Sequence, residues 1–188
     1  SFDRVHWDRL GFVADFAAVS RYIKTQMWSR GINPLVIPNG IPSELLQTIP
    51  EEDLRSLREA VGPGPWFFKI GRMDPDKGWL PAVEAIFRLR DSGVPARLVM
   101  KGGHLEGHGT EIYRHMAWRD LHPDDVHTND LSLGGIAAAL RAADPEAGIL
   151  NLNFFVPDDA LPAFYSAADG VLANSGYEPF GLVGVEAM

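Results

Sequence analysis

A chain of 188 residues, 46% apolar and 22% charged, carries enough apolar side chains for a sizeable core, and no run reaches the roughly 18 consecutive apolar residues of a membrane span. Its formal charge of −8 argues against broad nucleic-acid binding, which needs a basic footprint. With no cysteine there is neither a disulfide framework nor a thiolate-ligated metal, which fits a cytoplasmic setting.

Strands and helices alternate along the chain. VADFAAV at 13–19 reads as a short strand, and Ser20 is an N-cap candidate for the helix RYIKTQMWSR, closed by Gly31. PLVIP at 34–38 predicts a second short strand before the turn signal Asn39-Gly40. EEDLRSLREA at 51–60 predicts a helix with an acidic first turn, as the helix dipole favours, and VGPGP breaks it. WFFKI at 66–70 reads as a strand ended by Gly71. A helix is expected near 80–91, with Pro81 near its first turn, where a missing N–H is harmless. The strand at 96–100 runs into Lys101-Gly102-Gly103. Helices near 110–121 and 136–143, a strand at 149–156, a helix at 158–168, a strand at 170–173 and a helix from Leu182 complete the series.

Strand–helix alternation without tight hairpins predicts parallel pairing with crossover helices, an α/β fold. Ligands of such open sheets gather at the carboxyl ends of the strands. The loops after Ile70, Met100, Val156 and Ala173 are therefore the places to look for a site. The Pro-bearing segment 42–50 is the expected linker between two parts of the chain.

The loop after Ile70, Gly71-Arg72-Met73-Asp74-Pro75-Asp76-Lys77-Gly78, holds two cations five residues apart. Arg offers a planar fork and Lys a point charge, and both suit the oxygens of one anion. Equally, the two charges pair with Asp74 and Asp76 in a solvated turn. The spacing of a P-loop is absent. The closing stretch SGYEPFGLVGVEAM puts Glu178 in a loop and Glu186 inside the helix that follows, with Gly181 permitting close backbone approach. The first N–H groups of that helix suit a phosphate. Eight residues of chain set the two carboxylates roughly 12 Å or more apart. A nucleoside diphosphate sugar has hydroxyls at both ends and charge between, which matches that layout. The plainer alternative is an exposed Glu178 and a Glu186 that only favours the helix dipole.

EPFGLVGVEAM resembles the glutamate–seven–glutamate motif of retaining glycosyltransferases of the GT-B fold, especially their family four. AVSRYIKTQMWSRGI followed by VIPNGIP resembles that family's interdomain passage, FFKIGRMDPDKGW its phosphate-binding loop, and FFVPDDALPAFYSAADGVLANS the passage into the glutamate motif. The order and spacing match over most of the chain. The resemblance implies two Rossmann-like domains: residues 1–41 as the end of an acceptor domain, 42–50 as linker, and 51–188 as a nucleotide-sugar-binding domain incomplete at its carboxyl end. It implies Arg72 and Lys77 on the leaving diphosphate, Glu178 on the donor sugar and Glu186 on the ribose. Backbone N–H groups of Gly181, Leu182 and Val183 would meet the phosphates, with Gly71, Pro179, Phe180, Phe154 and Phe155 completing the donor site. It implies a nucleotide sugar as donor, an unspecified sugar, lipid or small molecule as acceptor, and no metal or other cofactor.

The chain departs from the family pattern in places. Phe154 stands where a glycine is usual before the aromatic–Val–Pro of the base-binding strand. His104, His108, His115, His122 and His127 lie in a stretch longer than usual, at spacings that form no compact ligand set and suit solvated or hydrogen-bonded side chains. Asp74 and Asp76 resemble a metal pair, but Pro75 between them and the family pattern argue for a plain turn. Two other readings stay open: a nucleotide-sugar-binding module without transfer, and a sugar-nucleotide epimerase or phosphorylase-like enzyme of the same architecture.

Overall fold

The computed structural model of the chain describes residues 5–6, 9, 15–103, 107–176 and 181–188. It divides into two compact units that meet in sequence between Ile41 and Pro42, with Leu182 falling to the first unit and Val183–Met188 to the second.

The first unit pairs β1 (Ala17–Ala18) in parallel with β2 (Leu35–Val36) across α1 (Arg21–Trp28). Ser20 caps α1 as its sequence position predicts, its hydroxyl oxygen accepting from the Ile23 N–H at 3.2 Å.

The second unit holds the main sheet. Its elements are α2 (Glu51–Val61), β3 (Trp66–Ile70), α3 (Trp79–Asp91), β4 (Arg97–Lys101), α4 (His108–Trp118), β5 (Pro123–Val126), α5 (Leu133–Arg141), β6 (Ile149–Leu152), α6 (Leu161–Ala167), β7 (Gly170–Val171) and, from Val183 on, the short α7 (Leu182–Glu186). Five strands pair in the order β5-β6-β4-β3-β7, every pair parallel. This is the architecture that the alternating pattern predicts.

Period two along the strands sorts their side chains into two cores. Leu98, Met100 and Ile149 face one way with Trp79, Val83, Ile86, Ile112 and Met116 of α3 and α4. Phe68, Val99 and Leu150 face the other way with Leu57, Ile136 and Phe164 of α2, α5 and α6. Phe68 and Phe164 stack with ring centroids 4.9 Å apart, and each is fully buried. Burial of one such ring is worth about 1.5–3 kcal/mol. Arg97 is the buried charge at the amino end of β4. Its guanidinium donates to the carbonyls of Val61 and Pro145, and burial pulls its pKa below the usual arginine value.

Two elements differ from the sequence reading. β5, with the sequence PDDV, is a strand that the residue pattern does not announce, because proline and aspartate are poor strand formers. It survives as the last strand of the sheet, where a proline at the first position leaves no partner without a donor. The strand expected at 149–156 has ladder pairing only over β6, Ile149–Leu152. The segment 42–50 carries a 3-10 turn over Ser43–Leu46, and Leu45 and Ile49 pack against the α2–α5–α6 core.

Candidate functional site

β3 is where the strand order turns. From β3 the chain passes to β4, jumps to the outermost β5, steps back to β6 between β5 and β4, and returns to set β7 on the other side of β3. The crevice outside the carboxyl ends of β3 and β7 is thus the switch point at which open α/β sheets bind ligands. The loop 71–78 after β3 and the loop 172–176 after β7 wall it.

The first loop is pinned along its length. The Gly71 N–H donates to the Lys101 carbonyl at 3.0 Å, and the indole N–H of buried Trp79 donates to the Arg72 carbonyl at 2.8 Å. Met73 is buried against Gly102, where any Cβ would collide with its terminal methyl. Pro75–Lys77 make one 3-10 turn, closed by the Lys77 N–H on the Asp74 carbonyl at 3.0 Å. Asp74 and Asp76 belong to this plain turn. Gly78 then starts α3 with φ +65°, and a Cβ there would strike the Asn174 backbone oxygen. Only glycine meets both demands.

The second loop is bonded across to the first. The Asn174 side-chain amide donates to the Gly78 carbonyl at 2.9 Å, and the Gly176 N–H donates to the Asp76 carbonyl at 2.7 Å. Beneath them lies Lys69, 3% exposed on β3. Its ammonium donates to the Leu172 carbonyl at 3.1 Å and to Asn174 Oδ1 at 2.6 Å, and sits 5.1 Å from the centroid of the Trp79 ring. Burial first, and the charge of Lys77 second, lower its pKa to about 8. Lys101, the last residue of β4, repeats the theme. Its ammonium donates to the Leu152 carbonyl at 3.2 Å, and burial lowers its pKa.

Arg72 and Lys77 share a loop but not an environment. The Arg72 side chain is 81% exposed and pairs with Asp74 at 2.8 Å, whereas Lys77 is 22% exposed with Asp76 at 3.8 Å. Glu186 lies in α7 and accepts a 2.9 Å hydrogen bond from the Tyr165 hydroxyl, which burial and this carboxylate hold well above the usual tyrosine range. Gly181 has φ +80°, and Leu182 and Val183 open the single turn of α7. Glu178, Pro179 and Phe180 lie outside the described residues.

Phe154 and Phe155 part company. The alternation of Leu150 and Leu152 continues through Phe154 and Val156 into the core, which leaves Phe155 outward and 69% exposed. The side chain of Phe154 thus packs with the core cluster. His108 pairs with Glu111 at 2.7 Å, His122 with Asp120 at 3.0 Å, and His115 Nε2 lies 3.5 Å from Glu84. Among the described residues no three His, Cys, Asp or Glu side chains gather as a metal set. His104 lies outside the described residues. On the first unit, Asp15, Lys24, Asn33 and Leu35 help line an open cavity of about 890 Å³.

Sequence reasoning missed Lys69, Asn174 and Trp79. The available signal was a lysine inside WFFKI: a cation in an otherwise apolar strand is buried only where oxygens meet it.

No protein-family model matches the chain. It is 26% identical over 160 residues to a 2-deoxystreptamine glucosyltransferase of Streptomyces kanamyceticus, covering 81% of this chain and 33% of that protein. Among solved structures it is similar to HepE of Anabaena, which was solved in complex with UDP and glucose. That likeness has a TM-score of 0.68 at 20% identity, over 96% of this chain and 43% of HepE. The sucrose-phosphate synthase of Thermosynechococcus elongatus superimposes with a TM-score of 0.56 at 22% identity, over 91% of this chain and 37% of the synthase. The C-terminal domain of LpcC, a glycosyl transferase group 1 family protein of Francisella tularensis, does so at 0.51 and 19% identity, over 79% of this chain and 65% of that one. The chain thus spans about a third of the curated relative and less than half of HepE. Over that part of their length, the chain resembles the GT-B glycosyltransferases in sequence and has their fold.

Proposed function

We propose that the chain supplies the donor side of a retaining glycosyltransferase, which moves a hexosyl unit from a nucleoside diphosphate sugar to an acceptor hydroxyl. The observation that supports this most is the switch-point crevice. There Lys77 lies mostly buried near a second, fully buried lysine, and the loop leading in sequence to Glu178 is bonded across to the loop that carries Lys77. Cations gathered at one sheet end of a chain of charge −8 suit a diphosphate. The similarity to a glucosyltransferase favours a hexosyl donor, and UDP in the HepE structure makes uridine nucleotides the first to test.

In this reading Lys77 faces the charge that grows on the leaving diphosphate, and Arg72 exchanges Asp74 for a phosphate oxygen. Glu178 holds hydroxyls of the donor sugar, and Glu186 those of the ribose. Backbone N–H groups of Gly181, Leu182 and Val183 meet phosphate oxygens, Gly71 lets the chain approach them, Pro179 and Phe180 shape the sugar side, and Phe155 meets the base. The bond from the anomeric carbon to the diphosphate breaks, and the acceptor oxygen bonds on the same face. The acceptor proton passes to the leaving oxygen. Fixed cations and N–H dipoles stabilise that oxygen, so no enzyme nucleophile, metal or other cofactor takes part. The acceptor is a sugar, a lipid or a small molecule.

A nucleotide-sugar-binding module without transfer is the second reading, since the cations at the crevice account for binding a diphosphate without requiring transfer. Calorimetric titration with UDP-glucose and other nucleotide sugars, followed by product analysis with and without EDTA, separates the two. Binding with transfer that survives EDTA is the expected result for the enzyme joined to an acceptor domain. Binding without transfer there establishes the second reading, and absence of binding removes both.

A further inference from the structure

We propose that Lys69 is a positioning residue: its buried ammonium, acting through Asn174, holds the loop after β7 against the loop after β3 and so sets the distance between Lys77 and the segment that enters the glutamate motif. The relevance to a nucleotide rests on the donor-site reading above. The clasp itself rests on geometry alone.

A lysine ammonium has three hydrogens in a tripod. Two of those of Lys69 go to oxygens of the β7 loop, the Leu172 carbonyl at 3.1 Å and Asn174 Oδ1 at 2.6 Å. The amide of Asn174 is thereby oriented: with its oxygen on Lys69, its nitrogen is left to donate to Gly78 at 2.9 Å. One charged group thus fixes an amide that reaches the end of the other loop, and the Gly176 N–H to Asp76 carbonyl bond closes the clasp two residues on. Trp79 floors the site with its ring under the ammonium and its N–H on the Arg72 carbonyl. Nothing here is needed to hold a strand, because β3 already pairs with β4 and β7 through its backbone. An apolar residue in place of Lys69 would satisfy the sheet and lose the clasp.

The charges around Lys69 give the clasp a pH response. From the 3-10 turn the charged group that it meets is Lys77, which has the Asp76 carboxylate 3.8 Å away. From the β7 loop it meets a neutral carbonyl and a neutral amide, and from α3 an indole ring. Two neighbouring lysines, with no carboxylate bonded to Lys69 among the described residues, leave its proton loosely held, and its pKa of about 8 agrees. A bound diphosphate adds negative charge beside Lys77 and tightens that proton. Nucleotide affinity therefore falls as pH rises through 8.

The test uses the whole chain in three variants: Lys69→Met, Lys69→Arg and Asn174→Ala. Amide hydrogen exchange without ligand is the first readout. Lys69→Met and Asn174→Ala should each speed exchange at Gly176 by about tenfold or more, while β3 and β4 amides keep their protection, which also reports that the variants fold. Lys69→Arg should restore part of the Gly176 protection. UDP binding from pH 6.5 to 9.5 is the second readout. Wild type should lose affinity several-fold across pH 8, and Lys69→Met should bind more weakly at pH 7 with that pH step gone. Asn174→Ala should bind more weakly but keep the step. Unchanged exchange at Gly176 in both Lys69→Met and Asn174→Ala overturns the clasp. A chain that binds UDP at no pH overturns the donor-site reading instead, and the exchange result still decides the clasp.

Discussion

Two charged regions of the second unit are built on opposite plans. On the face formed by α3 and α4, Glu84 is the hub. Arg119 grips it with two 2.8 Å hydrogen bonds, Arg88 adds one at 3.0 Å, and the Arg119 guanidinium lies over the Phe87 and Trp118 rings. Those bonds, Arg88 first, hold the Glu84 carboxyl below its usual range. Among the described residues there is no such hub at the carboxyl ends of β3 and β4. Lys69 and Lys101 are each held by carbonyl or amide oxygens, and burial lowers the pKa of both. Opposite charges in register knit a surface. Buried cations held only by neutral oxygens leave a positive field for something else to meet. The contrast separates the site from the scaffold better than a count of charges does.

The largest expected effect lies in the pH dependence of stability. Lys69 titrates at about 8 in the folded chain and near 10.5 when unfolded. Below pH 8 both states carry the proton, so this group adds no slope. Between pH 8 and 10.5 the unfolded chain keeps a proton that the folded chain has released, so stability from this group rises with pH, by on the order of 3 kcal/mol in all. Urea titrations at pH 7.5 and 10.5 should show Lys69→Met gaining on wild type at the lower pH and losing that lead at the higher one. Equal pH slopes in the two proteins would break the contrast at its centre.

Nucleotide affinity comes next. Removal of the Lys77 ammonium from a partly dry site costs a charge-assisted hydrogen bond of about 1.5–3 kcal/mol. Lys77→Ala should therefore weaken UDP roughly 10- to 100-fold by calorimetry at pH 7. A loss below twofold would take Lys77 out of the donor site.

Tyr165→Phe tests whether Glu186 is held ready. Loss of a single side-chain hydrogen bond is worth about 0.5–1.5 kcal/mol. The variant should unfold slightly earlier and bind UDP a few-fold more weakly, as a carboxylate no longer oriented meets the ribose less well. Unchanged UDP affinity in both Tyr165→Phe and Glu186→Ala would remove the ribose role of Glu186.

The smallest effect belongs to the balanced face. Arg119→Ala removes stacking worth about 0.5–1 kcal/mol on Phe87 and Trp118 together with the Glu84 grip. Thermal unfolding should register a modest fall, and UDP affinity should stay within twofold. A tenfold loss of UDP affinity in Arg119→Ala would show that the two regions are not separate.

Much of this was legible in the residues. WFFKI fixed β3 to the residue, the acidic turn and VGPGP bracketed α2 within one residue, and Ser20 marked its helix start. Local chemistry sufficed there, because the same atoms make the signal and the structure. β5 was hidden because edge pairing with β6, not propensity, makes PDDV extended. The two-residue period of Leu150, Leu152, Phe154 and Val156 already points Phe154 toward the core. Lys69 was silent for a different reason. Its acceptors are more than 100 residues away, and only the return of the chain to β7 brings them close.

β5 also bears on how the chain behaves when crowded. It is the outermost strand of the described sheet, and it opens on Pro123, which has no N–H to offer. The Asp124 carboxylate accepts the Asp144 N–H at 2.7 Å, and Asp125 accepts from the Asn151 amide, also at 2.7 Å. A second molecule that approached in strand register would meet one missing donor and two fixed negative charges. The residues that make β5 hard to read as a strand thus make it a poor template for fibril growth.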